Sequence, residues 1–354
     1  MTALATVLAA ALLAACSGGT ARESVKGATT ERPATTTSTT SSTTSTIDPS
    51  TVPVRPSRGC GRGAARGVQP GETESAVDSG GLTRTFYLRV PPAHDGRRPL
   101  PLVVDLHGFG EGAQLHVALS GMADLGTRVG FVTVTPQGSG VNEFWNTFGL
   151  PQPDDVAFVR ALLDDLDDTL CIDLNRTYAS GISNGAFMVS LLACRMADRF
   201  AAVAPVAGAQ DPQPCTPARP VPVIAFHGTD DTYVRYEGGL GPGVRSLGID
   251  PGLDLPVLRT PVPDVMAAWA ARNRCTTGPS VSDAAVDVAV HTWSGCADGA
   301  DVVFDEVRGG GHTWPGSRVS EAARTLIGPT TMSIDATALI WEFFRLHPLR
   351  PAPR

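Results

Sequence analysis

The chain has 354 residues, 42% of them hydrophobic and 18% charged, with a formal net charge of −7. That much apolar material supports a large folded core, which excludes a wholly disordered chain. The acidic balance and the lack of any Lys/Arg cluster argue against nucleic acid as a partner, because nothing would neutralise a phosphate backbone.

In chain order, the first element is the apolar stretch Met1-Thr-Ala-Leu-Ala-Thr-Val-Leu-Ala-Ala-Ala-Leu-Leu-Ala-Ala-Cys16. Its length and the small residues near its end are those of a signal peptide, so export is expected. Leu13-Ala14-Ala15-Cys16 resembles the bacterial lipobox, in which cleavage before the cysteine leaves diacylglycerol on its sulfur. Cys16 is therefore the expected lipidation site, and a membrane is the expected partner through that anchor. A conventionally cleaved secretory signal is the alternative. No Lys or Arg precedes Arg22, so a basic n-region is expected upstream of Met1.

Residues 17–59 are rich in Ser, Thr and Pro, with an unbroken Ser/Thr run from Thr35 to Thr46. Such a segment cannot bury enough surface to offset its ordering entropy and is expected to be a disordered tether. The folded domain is expected over residues 60–354, outside the cytoplasm or at the cell surface.

With Cys16 assigned to the signal, Cys60, Cys171, Cys194, Cys215, Cys275 and Cys296 remain. An even number of cysteines in an exported chain points to disulfides, although spacing alone leaves fifteen connectivities. We favour the local pairs Cys194–Cys215 and Cys275–Cys296, which leaves Cys60–Cys171. No CxxC or Cys–His spacing suggests a metal site.

From about Thr83 the chain alternates short apolar, β-branched runs with longer helical patterns, the signature of an α/β domain with a mostly parallel central sheet flanked by helices. Strands are expected at Arg84–Val90, Leu102–His107, Phe131–Thr135, Thr177–Gly181, Ala202–Val206, Val221–Phe226 and Val302–Val307. Val159, Leu162, Leu163, Leu166 and Leu170 recur at helical spacing, which turns Asp164, Asp165, Asp167 and Asp168 outward to solvent.

The segment Gly181-Ile182-Ser183-Asn184-Gly185 joins a strand pattern to a helical one. A serine on so tight a turn is forced outward, and flanking glycines remove side chains that would clash, so Ser183 is the candidate nucleophile. A serine nucleophile needs a base and an orienting acid, which in α/β-hydrolases follow it in the order Ser, acid, His. Asp230 and Asp231 both follow the strand Val221–Phe226, and composition does not choose between them. His312 lies in a Gly-rich loop after the last strand. His94 and His116 read as surface residues, His291 as part of an edge strand, and His107 and His227 as structural. Oxyanion donors are expected at the backbone N–H of Asn184 and in the loop His107-Gly108-Phe109-Gly110, at Phe109.

Five motifs then stand in order: Leu102-Val-Val-Asp-Leu-His-Gly108, Gly181-Ile-Ser-Asn-Gly-Ala-Phe-Met188, Phe200-Ala-Ala-Val-Ala-Pro-Val-Ala-Gly208, Phe226-His-Gly-Thr-Asp-Asp231 and Gly310-Gly-His-Thr-Trp-Pro-Gly316. Together they resemble the exported polyhydroxybutyrate depolymerase and feruloyl esterase family over roughly Gly59 to Leu346. The resemblance implies an α/β-hydrolase fold and a serine esterase with Ser183 as nucleophile, Asp231 as acid and His312 as base. Asp230 is then left to accept backbone N–H groups within its loop. The resemblance also implies that Trp145 and Trp314 line the acyl pocket, with core packing as their alternative role. The expected substrate is a carboxylic ester, whether small molecule, polyester or polysaccharide-linked, and the mechanism requires no metal or organic cofactor. An acyltransferase with the same triad and a non-catalytic surface lipoprotein are the other readings.

The lipobox reading has a direct check. Metabolic labelling with a fatty-acid analogue is expected to tag the wild-type chain and not Cys16→Ala, whereas equal labelling of both would exclude Cys16 as the acceptor.

Overall fold

The computed structural model describes residues 51–61, 70–150 and 153–350. The signal segment, Cys16 and the tether up to residue 50 lie outside the described residues. The elements, in chain order, are β1 (Gly71–Ser79), β2 (Leu82–Val90), β3 (Leu100–Leu106), α1 (Ala113–Ser120), α2 (Met122–Val129), β4 (Val132–Pro136), α3 (Asp155–Thr169), β5 (Ile172–Ile182), α4 (Asn184–Arg195), β6 (Val203–Val206), β7 (Val223–Gly228), α5 (Val262–Arg272), β8 (Thr277–Ala285), β9 (Val288–Ser294), β10 (Val302–Val307), α6 (Arg318–Ala322), α7 (Arg324–Ile327) and α8 (Ala336–Leu346).

Among the described residues, ten strands form one sheet in the order β1-β2-β4-β3-β5-β6-β7-β10-β9-β8. From β4 to β10 neighbouring strands are parallel, and each edge is finished by an antiparallel hairpin. Strands β4, β6 and β7 are buried at every residue, so that even the threonines of β4 and His227 of β7 lie inside rather than on a solvated face. Successive side chains of β3 point to opposite faces. Leu102 and Val104 enter a core with α3, α4 and α5, while Val103 enters a second core with α2 and α8.

All seven expected strands are present, most with ends moved by one to a few residues. Two more, β1 and β8, escaped sequence reading, and β9 was expected only as the edge strand that holds His291. Every residue of β1 and β8 is at least partly exposed, so neither carries an apolar face, and both owe their strand form to pairing with a neighbour. His291 lies in β9, one strand in from the edge, because β8 covers it.

The folded part begins earlier than residue 60, which corrects the expected end of the tether. Residues 51–59 pack along β5: Ser57 N donates to Ile172 O at 2.9 Å, Ser57 Oγ to Leu170 O at 2.6 Å, and Arg55 N to the Asp173 carboxylate at 3.0 Å. The Val52 side chain is buried. Polar composition concealed this, because backbone hydrogen bonding attaches the segment more than apolar burial does.

Two further expectations change. Asp167 is not on a solvated face: it is largely buried and pairs with Arg199 at 2.9 Å, and burial raises its pKa to about 6 against the pull of that guanidinium. His116 is not a surface residue either, being fully buried under α1, and His94 is half-buried with Nε2 accepting from Cys171 N at 3.1 Å. A buried ion pair of 2.8 Å between Arg84 of β2 and Asp155 of α3 ties that helix to the sheet, and Asp155 also accepts Asn146 N at 2.6 Å. Removing one partner of such a pair typically costs about 3–5 kcal/mol, since the other charge is left buried alone.

The cysteines pair as Cys60–Cys171, Cys194–Cys215 and Cys275–Cys296. The first joins partners 111 residues apart and the third partners 21 apart. Loop-closure entropy then makes the first worth about 4.8 kcal/mol and the third about 3.3 kcal/mol. Replacing Cys60 and Cys171 by Ala is thus expected to destabilise the fold by about 1.5 kcal/mol more than replacing Cys275 and Cys296, measured by denaturant unfolding. Equal losses would contradict the chain-entropy account.

Candidate active site

β5 is a central strand, and its last turn delivers Ser183 into α4. The Ser183 backbone sits at φ 57° and ψ −122°, a region L-residues avoid and which is adopted here because both ends of the turn are fixed. Ser183 N donates to Val206 O at 3.0 Å, and Ser183 O accepts Phe187 N at 3.0 Å in the first turn of α4. The glycine at 185 permits this close turn: a Cβ there would lie 2.2 Å from Leu106 O and 2.6 Å from His107 O. Ser183 itself is only half-buried and lines an open cleft.

His312 opens into the same cleft. It follows β10 on the loop containing Gly309, Gly310 and Gly311, and its N–H is held by Ile327 O at 2.7 Å. His312 Nδ1 donates to Asp231 Oδ2 at 2.7 Å. In a neutral imidazole this leaves Nε2 as the basic nitrogen. The Tyr233 ring stacks on the imidazole, with centroids 4.9 Å apart. Asp231 is buried, its second oxygen accepting Tyr233 N at 2.7 Å and Val234 N at 3.0 Å. Asp230 is exposed, and among the described residues its carboxylate accepts the Thr229 hydroxyl, at 3.3 Å. The loop N–H groups expected on Asp230 thus belong to Asp231. The acid and histidine loops meet at Gly228, where a Cβ would lie 2.1 Å from Gly310 O.

Of the expected oxyanion donors, Asn184 is the first residue of α4, so its N–H has no intrahelical acceptor. Phe109 lies on the cleft wall. The Asn184 side chain is committed elsewhere: Oδ1 accepts Trp145 N at 2.7 Å and Nδ2 donates to Trp145 O at 3.1 Å.

Trp145 and Trp314 do not line the cleft, which corrects the role expected from the family resemblance. Both are fully buried. Trp145 Nε1 donates to His107 O at 2.9 Å and its ring packs near His107 and Phe158, whereas Trp314 Nε1 donates to Thr337 Oγ1 at 2.9 Å. His107 and His227 are structural, as expected. His107 Nδ1 donates to Gly108 O at 2.7 Å and Nε2 accepts Gly138 N at 2.8 Å, and burial lowers its pKa to about 4. His227 Nε2 donates to Val234 O at 2.9 Å.

The cleft wall that sequence reading missed is Glu111, Leu115, Leu119, Leu247, Leu326 and Ile327. These come from separate loops and helices and carry no common spacing. One sequence signal was available: Asp105 interrupts the apolar run of β3, and a charge in a buried strand announces a buried partner. Among the described residues, no group of three or more His, Cys, Asp or Glu side chains could hold a metal ion.

The Esterase PHB depolymerase family profile matches residues 83–211. Among curated relatives, feruloyl esterase B of Piromyces equi is 28% identical over 65% of this chain, and the chain spans 42% of that protein. NocK of Nocardia uniformis subsp. tsuyamanensis, an esterase by designation, is 32% identical over 69% of this chain and 74% of its own. Among solved structures, an acetyl xylan esterase from Aspergillus awamori superposes with a TM-score of 0.51 at 14% identity, covering 68% of this chain and 94% of that one. The architecture is that of the α/β-hydrolase fold.

The two adjacent acids can be separated experimentally. Asp231→Asn is expected to lower kcat/KM on a soluble ester by roughly three to four powers of ten, because the amide holds the wrong imidazole tautomer. Asp230→Asn is expected to stay within about threefold of wild type, as surface substitutions usually do. A reversed ranking, with circular dichroism showing both folded, would move the acid to Asp230.

Proposed function

This chain belongs to the Esterase PHB depolymerase family, and from that premise we propose that it hydrolyses carboxylic esters through an acyl-enzyme on Ser183. The observation that carries the reading is the 2.7 Å Asp231–His312 hydrogen bond opening onto the cleft that Ser183 also lines. Ser183 Oγ attacks the ester carbonyl while His312 Nε2 takes its proton. Asp231 holds the imidazole tautomer and stabilises the imidazolium. The N–H groups of Asn184 and Phe109 receive the oxyanion. His312 returns the proton to the departing alcohol, then deprotonates the water that releases the acid.

The cleft wall supports a preference among esters. It carries six aliphatic side chains, Leu115, Leu119, Ile182, Leu247, Leu326 and Ile327, two aromatic ones, Phe109 and Tyr233, and one carboxylate at Glu111, with no Lys or Arg among the described lining residues. Such a wall favours neutral, aliphatic groups beside the scissile bond and disfavours anionic ones. Short-chain aliphatic and 3-hydroxybutyrate esters are thus the favoured class over the feruloyl esters in the first relative's name. Three disulfides fit an oxidising compartment, which supports export of residues 51–354, with Cys16 as the membrane anchor and residues 17–50 as the tether.

Ser183→Ala is expected to leave a folded protein with turnover reduced by several powers of ten. Turnover retained in a clean preparation would sink the mechanism. In a panel of p-nitrophenyl butyrate, 3-hydroxybutyrate oligomers, acetyl-xylan and methyl ferulate, kcat/KM is expected to be at least about tenfold higher for the first two. A lead for methyl ferulate would overturn the aliphatic preference while leaving the triad intact.

A further inference from the structure

The turn that follows β3 has both backbone polar groups of its first residue, Gly108, held. Gly108 N donates to Glu111 Oε2 at 2.6 Å, and Gly108 O accepts Glu111 N at 3.3 Å and His107 Nδ1 at 2.7 Å. In a trans peptide the carbonyl and the following N–H point in opposite directions. Holding Gly108 O toward Glu111 and His107 therefore directs the Phe109 N–H away from them, and Phe109 lies on the cleft wall. The turn has no intrinsic stiffness to do this unaided, since Gly110 and Gly112 both sit at positive φ.

Glu111 is itself held from below. Its Oε1 lies 3.0 Å from His116 Nδ1, and His116 Nε2 lies 3.2 Å from Asp105 Oδ1. Asp105 also accepts the hydroxyls of Ser120 and Ser180, each at 2.6 Å. His116 and Asp105 are wholly buried, with the Trp314 ring edge-on to the imidazole at 5.8 Å. Burial works against a charge on His116, but the carboxylates of Asp105 and Glu111 outweigh it and push its pKa up to about 10. The chain thus keeps an imidazolium between two carboxylates beside a cleft whose chemistry would build negative charge. Without that imidazolium, a carboxylate at Glu111 would oppose the oxyanion it borders.

We propose that Glu111 is a positioning residue, oriented and neutralised by His116 and Asp105, whose carboxylate holds Gly108 N and whose backbone N–H holds Gly108 O, so that the Phe109 N–H meets the developing oxyanion. The inference rests on Ser183 being the nucleophile. It assigns a role to three charged groups that the proposed triad does not use, and it accounts for a buried charge in β3.

The test is kinetic, on the full chain with p-nitrophenyl acetate as substrate, a fluorophosphonate as serine probe and circular dichroism for folding. Glu111→Ala is expected to lower kcat by about 10²–10³, the loss seen when one oxyanion donor is removed, with KM within about threefold and fluorophosphonate labelling slowed in parallel. Glu111→Gln retains an acceptor oxygen for Gly108 N and is expected to recover most of kcat. His116→Gln is expected to lose activity as Glu111→Ala does, and the pair Glu111→Gln with His116→Gln to regain at least about tenfold over His116→Gln, because the carboxylate left without a counter-charge is gone. A folded Glu111→Ala with kcat within twofold of wild type would overturn the proposal, as would equal losses in the Ala and Gln variants. If Glu111→Ala fails to fold, equal activity of His116→Gln and the pair overturns it instead. Ser183→Ala run alongside separates the two ideas, since turnover surviving there refutes the nucleophile and not the turn.

Discussion

The strained backbone of Ser183 is the constraint from which the rest of the site follows. A non-glycine residue at φ 57° and ψ −122° costs about 1–3 kcal/mol, and it persists only where its surroundings over-determine it. Here the surroundings are the parallel neighbours. β6 accepts the Ser183 N–H at Val206 O, and the end of β3 presses against Gly185 so closely that no side chain fits. That same contact places the turn after β3 next to the serine, so the two candidate oxyanion donors are brought together by one packing event rather than by two. A sheet that slipped by one residue would separate them, because in a strand every such slip exchanges the two faces.

Around this turn the protein has buried polar groups instead of hydrocarbon, and it satisfies them with specific partners. Asn184 pairs with both backbone groups of Trp145, Trp145 Nε1 holds His107 O, and His107 holds Gly108 O and Gly138 N. Asp155 holds Asn146 N and the Arg84 guanidinium. Each bond is modest on its own, about 1 kcal/mol net, but leaving any one of these groups unpaired would cost about 1–3 kcal/mol. The penalty is what gives the loops a single arrangement. The same logic applies to Asp231, whose two oxygens are divided between the His312 Nδ1–H and the amides of Tyr233 and Val234, so the imidazole meets a carboxylate that cannot rotate away.

The differences between sequence reading and structure share one cause. The family resemblance points Trp145 and Trp314 to the pocket wall, a role that nothing local to either residue tests. In the fold both indole N–H groups find buried acceptors, and their rings serve the core. His116 reads as a surface residue because its helix α1 is short and mixed in polarity, yet its two partners come from β3 and from the loop before α1. Asp230 and Asp231 are indistinguishable by composition, and only the turn geometry exposes one and buries the other. Strands β1 and β8 carry no apolar alternation because a sheet edge needs none.

What the sequence determined by itself was local. The apolar, β-branched runs specified the parallel strands, and Gly-x-Ser-x-Gly specified a turn that only small neighbours permit. The glycine loop after β10 marked His312, and an even set of cysteines in a chain that reads as exported implied disulfides. Each of these is dictated by steric or burial rules that act within about a dozen residues. The tertiary structure alone decided which groups line the cleft and that Asp105, His116 and Glu111 form one charged stack beneath the turn after β3, and it separated the two adjacent acids that composition left equal. Those outcomes depend on desolvation and hydrogen bonding between residues brought together by strand order, and strand order is a property of the whole sheet that no local pattern encodes.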